Sequence, residues 1–200
     1  REEQFSRGFE RQFQENYQST MKQVVTIGGG SGQSNLLNGL SYFRDEIDIS
    51  SIVSTTDSGG STGILREELG ILAVGDIRRC LVALSDAPES MKELMDYRFD
   101  RGSLDGHNLG NLILAGLMGI MRDDATAIEE AGKLLQINGR VLPVTTDKSD
   151  LVAVLEDGSL IKGETDIDVP KYDLKQLGKS IKQVYLEPSA VAHPESLEAI

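Results

Sequence analysis

The sequence predicts an α/β fold built on a mainly parallel sheet, and three observations carry that prediction. Two short apolar runs, Val24-Val25-Thr26-Ile27 and Ile52-Val53-Ser54-Thr55-Thr56, each end abruptly in glycines and small hydroxyl residues. Each is followed by a pattern of helical period, so strand, tight turn and helix recur in the same order. The runs are near-continuous rather than alternating, as expected of strands covered by helices on both faces. This order places both turns at the carboxyl edge of the sheet, where open α/β folds bind ligands.

Residues 1–20 differ from the rest. They are rich in Glu, Arg and Gln, and Phe5, Phe9, Phe13 and Tyr17 recur every four residues, which puts them on one helix face. This reads as a docking helix or, equally, as a flexible leader. The expected organisation is a leader or arm over 1–21 and one domain over 22–200. The chain opens on Arg1 and stops at Ile200 inside a helical pattern, so that domain is expected to be truncated at its C-terminus.

Within the domain, 22–27 is the first strand and Ser31 to Phe43 a helix with Leu36, Leu37 and Leu40 inward. Residues 49–56 are the second strand, completing a right-handed βαβ unit. Gly63 to Leu69 is a short helix, and Gly75 opens another through Leu84. Asp76 sits where an N-cap belongs. Pro88 starts a helix to about Tyr97. Arg101 to Gly106 is a loop before a strongly apolar helix from His107 to Met118. Asp124 to Leu135 is an amphipathic helix and Gly139 to Thr145 a strand. Residues 150–163 form a β-hairpin, because Asp157-Gly158 separates two apolar runs. Residues 166–179 are loop-like, 181–186 is a further strand, and a last helix follows Pro194. No internal repeat is visible.

The totals exclude several function classes. Net charge is −12, without a block of lysines or arginines, so nucleic acid is not an expected partner. One cysteine and two histidines leave no disulfide framework, zinc site or histidine-rich centre. Haem and flavin are not expected either. No run approaches the ~20 apolar residues of a membrane span and no signal segment opens the chain, so the expected location is the cytoplasm without membrane insertion.

Three polar clusters are candidate binding residues. The first is Gly28-Gly29-Gly30-Ser31-Gly32, where a strand-to-helix turn leaves free N–H groups for an anion, most often phosphate. It is not a dinucleotide fingerprint: Gln33 or Asn35 occupies the third glycine position, and a Walker lysine is missing. The alternative is a plain tight turn. The second is Asp57-Ser58-Gly59-Gly60. Asp57 ends a strand where a ribose hydroxyl or a metal is held; otherwise it is a cap or turn former. Asp76 is a cap or a second carboxylate for the same metal, and Arg78 or Arg79 is a phosphate clamp. The third is His107, Asn108 and Asn111, at the mouth of an apolar helix, suited to a base or sugar, with capping as the bland reading. Cys80, in an apolar helical run, reads as core rather than nucleophile.

These motifs, together with Leu65-Arg66-Glu67-Glu68-Leu69-Gly70 and Gly106-His107-Asn108-Leu109-Gly110-Asn111-Leu112, resemble the gluconeogenesis factor family within the 2-phospholactate transferase (CofD-like) superfamily. The resemblance covers about Lys22 to Ile200. It implies a Rossmann-like three-layer sandwich in a bacterial cytoplasmic protein. It further implies binding of a nucleotide-sugar such as UDP-N-acetylglucosamine, and a regulatory role in cell shape and envelope synthesis on gluconeogenic carbon sources. The transferase relatives instead join a phospholactyl group from a guanosine dinucleotide-type donor to a deazaflavin alcohol with Mg²⁺, for which Asp57 and Asp76 are the candidate ligands. Sensing without turnover is the favoured expectation and transfer the alternative. The expected partner is thus a nucleotide-sugar or nucleotide diphosphate, with a homodimer left open.

Overall fold

The computed structural model describes residues 21–168 and 180–200. The aromatic stripe at 5–17 and most of the polar stretch 166–179 lie outside the described residues.

The expected α/β architecture is present as a parallel three-stranded sheet flanked by helices, followed by a second, antiparallel sheet. Strand β1, Lys22–Gly28, helix α1, Gly30–Leu40, and strand β2, Ile47–Val53, form the parallel unit. The register aligns Gly28 with Val53, and β3, Arg140–Pro143, sets Pro143 on the other side of Val53. Three strand ends therefore stand in a row at one edge. Proline is tolerated there because β3 is an outer strand among the described residues and needs no outward N–H at that position.

Five helices lie between β2 and β3: α2, Gly60–Leu69; α3, Gly75–Ala83; α4, Glu89–Asp96; α5, Leu109–Met121; and α6, Asp124–Leu134. Helix α3 is the hub of the core. Its Ile77, Cys80 and Leu81 are fully buried, and they share one apolar cluster with Leu37 of α1, Ile49 and Val53 of β2, Leu114 of α5 and Ile128 of α6. Helix α5 is apolar nearly all round; it buries Leu114, Ala115 and Met118 and leaves Ile120 and Met121 of its last turn exposed, and no helix among the described residues is long and apolar enough to cross a membrane. A polar seam lies beneath the first glycine turn. Gln33 of α1 donates through Nε2 to Ser51 Oγ at 2.7 Å and to the Ile52 carbonyl at 3.1 Å, which ties α1 to β2.

Several boundaries differ from the sequence expectation. Strand β2 stops at Val53 rather than Thr56, because the hydroxyl residues beyond it turn to other partners: Thr55 Oγ1 donates to the Thr145 carbonyl at 3.2 Å. Helix α2 begins at Gly60, three residues before the expected start. Its first turn is glycine and hydroxyl residues of poor helix propensity, so only tertiary contacts mark it as helix. Asp76 is not an N-cap. It is the second residue of α3, whose N-cap is Val74, and its carboxylate leaves its own helix.

The hairpin forms as β4, Asp150–Leu155, and β5, Leu160–Lys162. Strand β6, Ile181–Glu187, joins the other side of β4, so the hairpin is part of a three-stranded sheet of order β5-β4-β6. Short helices α7, Glu164–Asp168, and α8, Pro194–Glu198, complete the described structure. Helix α7 forms at the start of the stretch expected to be loop, with acids in its first turn where the helix dipole favours them.

Candidate functional site

The first turn of α3 lies between the two glycine turns and touches both. Gly29 is the N-cap of α1, in extended conformation and without a side-chain cap. The next N–H, on Gly30, donates to Asp76 Oδ2 at 2.5 Å. The other oxygen of Asp76 accepts from Arg79. A Cβ on Gly29 would lie 2.6 Å from Asp76 Oδ2 and 3.2 Å from Ser54 Cβ, so glycine is required for this approach. On the other flank, a Cβ on Gly75 would lie 2.5 Å from Thr62 Oγ1 and 3.2 Å from Asp57 Oδ2.

The second turn is self-contained by comparison. Asp57 Oδ1 accepts from the Gly59 N–H at 2.9 Å, which shapes the turn two residues ahead. Ser58 Oγ accepts from the Thr165 N–H at 3.1 Å, linking this turn to α7. Gly59 is the N-cap of α2, again without a side-chain cap. Ser31 and Gly32 in α1, and Gly60, Ser61 and Thr62 in α2, thus fall in helix first turns, where backbone N–H groups lack an intrahelical partner.

The third cluster is held by a buried network. Asn108 caps α5, its Oδ1 accepting from the Asn111 N–H at 3.0 Å. Asn111 Nδ2 donates to Ser61 Oγ at 3.4 Å and to Thr62 Oγ1 at 3.3 Å. Asn111 Oδ1 accepts from Arg78 Nε at 3.1 Å. Arg78 Nη1 donates to the Met95 carbonyl at 3.1 Å and is paired with Asp96. Burial lowers the Arg78 pKa from its ordinary value, and the Asp96 charge opposes that shift. His107 is half-buried, with Nδ1 3.2 Å from Ser61 Oγ.

Sequence reasoning offered Arg78 for a phosphate and Asn111 for a base or sugar; here both engage protein groups. Gly29 and Gly30 meet Asp76, and Asp57 lies against Gly75, at the first turn of α3, whereas Gly28 lies against Gln33 and Ser58 and Gly59 against Thr165. His107, Asn108 and Asn111 meet Ser61 and Thr62 of α2. Ser61, Thr62 and Asp96 were missed. The signal for the first two was present, since they continue the small-residue run after Asp57. Nothing local marks Asp96 as the partner of Arg78. Cys80 is buried, and desolvation pushes its thiol up to about 11, so it is a core residue without thiolate at neutral pH.

One cavity borders the site and another lies away from it. One of about 810 Å³ runs from Ser58 and Gly60 past Arg66 to Lys148, Lys162 and Thr165. Its wall is fixed by Arg66, which donates to the Ser149 carbonyl at 2.5 Å and pairs with Asp150 at 2.8 Å. The other, about 540 Å³, lies between α6 and β3, away from the glycine turns.

A parallel sheet whose carboxyl edge carries two helix starts on glycine defines an open-sheet α/β protein, the class that places its ligands at that edge. Comparison with known proteins is specific. Residues 24–200 match the family model of the 2-phospho-L-lactate transferase CofD, and the chain belongs to that family. The gluconeogenesis factor of Halalkalibacterium halodurans is 44% identical over 181 residues, which are 90% of this chain and 53% of that protein. The gluconeogenesis factor of Bacillus subtilis is 42% identical over 179 residues, 88% of this chain and 54% of that protein. A crystal structure of a UPF0052-family protein from Bacillus halodurans superimposes with a TM-score of 0.80 at 41% identity, covering 90% of this chain and 55% of that one. The chain thus spans about half the length of the relatives it matches.

Proposed function

We propose that this edge binds a nucleotide diphosphate, and that a sugar-linked form of the UDP-N-acetylglucosamine type is the resident ligand. The protein then acts in the cytoplasm by binding rather than turnover, in the control of envelope synthesis and cell shape on gluconeogenic carbon sources. The observation that carries the reading is the pair of helices, α1 and α2, that start on uncapped glycines beside the same carboxylate-bearing turn. Two such N-termini suit the two phosphates of a diphosphate. Family membership and relatives named gluconeogenesis factors support the ligand class.

The family implies Mg²⁺, and the two candidate carboxylates fit it unequally. Asp57 holds Gly59 with one oxygen and turns the other toward Gly75, so it suits a cation shared with a diphosphate. Both oxygens of Asp76 already accept from Gly30 and Arg79. Asp57 would therefore hold the ion, which when bound neutralises charge on the phosphate oxygens. Asp76 acts instead as an internal anion that fixes the first turn.

A second reading, transfer of a phospholactyl-type group from a nucleotide diphosphate donor, is favoured by that same carboxylate, since phosphoryl chemistry requires positioning and charge neutralisation rather than a protein nucleophile. Incubation with UDP-N-acetylglucosamine, or with guanosine diphosphate-linked donors and acceptor alcohols, with Mg²⁺ separates the two. Intact ligand is expected back, together with about 2.7 kcal/mol of added stability at a hundredfold excess over Kd. Cleavage that disappears in Asp57→Asn overturns binding without turnover. Absence of a stability gain with every nucleotide tested overturns both.

A further inference from the structure

The buried network behind His107 has a direction, and that direction fixes which ring nitrogen carries the proton. Arg78 begins it. A guanidinium can only donate, so Asn111 must receive Arg78 Nε through its carbonyl oxygen, as it does at 3.1 Å. The amide is thereby oriented, and its NH₂ faces Ser61 at 3.4 Å and Thr62 at 3.3 Å. The backbone N–H of Asn108, also a donor only, reaches Ser61 Oγ at 3.2 Å.

Ser61 thus receives two donors, and a hydroxyl has two lone pairs and one proton. Both lone pairs are occupied. The proton has one remaining neighbour in the network, His107 Nδ1, at 3.2 Å. If Nδ1 carried a hydrogen, a third donor would face the same oxygen and the hydroxyl proton would have no acceptor. We propose that Arg78, Asn111 and Ser61 form a one-way relay that holds neutral His107 in the Nε2–H form, presenting a hydrogen-bond donor to the bound ligand. Arg78, Asn111 and Ser61 are positioning residues: they act through the imidazole. Nε2 bonds to no protein group among the described residues, so it is the ring's remaining contact atom.

The group that His107 meets is consequently an acceptor, an oxygen of a phosphoryl or a carbonyl group, and not an amine or hydroxyl proton. This last step rests on the proposal that the edge binds a nucleotide diphosphate; the tautomer does not.

The test uses the whole chain, labelled with ¹⁵N and ¹³C, without ligand. Long-range ¹H–¹⁵N correlations are recorded well above the ordinary imidazole titration range. With two histidines in the chain, the His107 ring is assigned through its own Cβ. The expected result is an unprotonated Nδ1 and a protonated Nε2. A protonated Nδ1 in the wild type overturns the relay.

Asn111→Asp supplies the converse. It keeps an oxygen for Arg78 but offers Ser61 an acceptor in place of a donor, so the hydroxyl proton turns away from the ring and the Nδ1–H form should take over. An unchanged tautomer in a folded N111D protein also overturns the relay. Ser61→Ala should leave a mixture, with a loss of ligand affinity of about twofold at equal populations, since affinity scales with the competent fraction.

Inorganic pyrophosphate and uridine then identify the acceptor: the first carries phosphoryl oxygens and no carbonyl, the second carbonyl oxygens and no phosphoryl group. A shift of His107 Nε2 by one of them supports the donor role and names the oxygen. A shift by neither overturns the ligand contact, while the ligand-free tautomer is judged by its own spectrum.

Discussion

The two glycine turns resemble each other in sequence but are held by different means. Both end a parallel strand, and both open a helix on an uncapped glycine. In the second, the shaping carboxylate is Asp57, two residues before the N–H it accepts. In the first, it is Asp76, 46 residues further along the chain and on another helix. The carboxylate contact of the second turn is therefore local, whereas that of the first exists only once α3 has packed against α1. The contrast also separates their roles. In the first turn a protein carboxylate already answers the leading N–H. In the second, Asp57 keeps an oxygen directed toward Gly75 between the turns.

The largest effect is expected where the second turn closes on itself. A Cβ on Gly63 would lie 2.1 Å from the Ser58 carbonyl oxygen, a backbone atom that cannot swing aside. Gly63→Ala should cost about 3 kcal/mol, as overpacking of a fixed site does, measured by urea denaturation. A cost below a third of that would mean that the second turn is loose, and the comparison would break.

Next comes Asp76→Asn. The buried carboxylate accepts from the Gly30 N–H and from Arg79, and bonds to a charged group are worth more than neutral ones. The expected loss is about 2 kcal/mol. The same change removes a negative charge beside the first turn, so pyrophosphate should bind more tightly without Mg²⁺. Weaker binding, seen by calorimetry, would show that Asp76 aids the ligand rather than standing in for it.

These contrasts mark what could be read from sequence. The strand ends and glycine turns were legible because the signal is local: an apolar run, then residues that permit close approach. The cap at Asn108 was legible for the same reason, since its partner Asn111 lies one turn ahead. The start of α2 was not, because Gly60-Ser61-Thr62-Gly63 has loop composition and becomes helix through contacts with α5. Arg78 suggested a phosphate clamp because a guanidinium fits phosphate well. It fits Asp96, Met95 and Asn111 here, and that choice belongs to the packing of α3 against α4 and α5. The link from Asp76 to Gly30 crosses 46 residues and left no local trace.

Asp57→Asn is the counterpart in the second turn. Asparagine keeps an oxygen for the Gly59 N–H, so stability should fall by less than about 1 kcal/mol. Diphosphate binding should lose its dependence on Mg²⁺. The two variants together sharpen the comparison: Asp76 should matter more to folding, Asp57 more to the ligand. Equal losses of melting temperature would erase the distinction.

The smallest effect tests whether local capping behaves alike elsewhere in the molecule. Helix α6 starts on Asp123, whose carboxylate accepts from the Thr126 hydroxyl at 2.5 Å and the Thr126 N–H at 2.8 Å, a self-made cap like that of the second turn. These bonds hold Asp123 below the usual carboxylate range. Burial pushes its neighbour Asp124 the other way, with Lys148 opposing the shift. The signs follow from linkage. A depressed acid stabilises the fold above its unfolded pKa of about 3.9, and that contribution is lost as pH falls through its lower folded value. A raised acid costs stability at neutral pH, and the cost is relieved as pH falls through its folded value toward about 3.9. Acidification should thus first relieve Asp124 and then remove the contribution of Asp123. Because Asp123 is exposed to solvent, its share is about 0.5 kcal/mol or less. Urea midpoints followed downward from neutral pH should show the early gain vanish in Asp124→Asn and the later loss shrink in Asp123→Asn. If Asp123→Asn instead lowers stability at neutral pH as much as Asp76→Asn does, local caps are not the weaker kind of support in this protein.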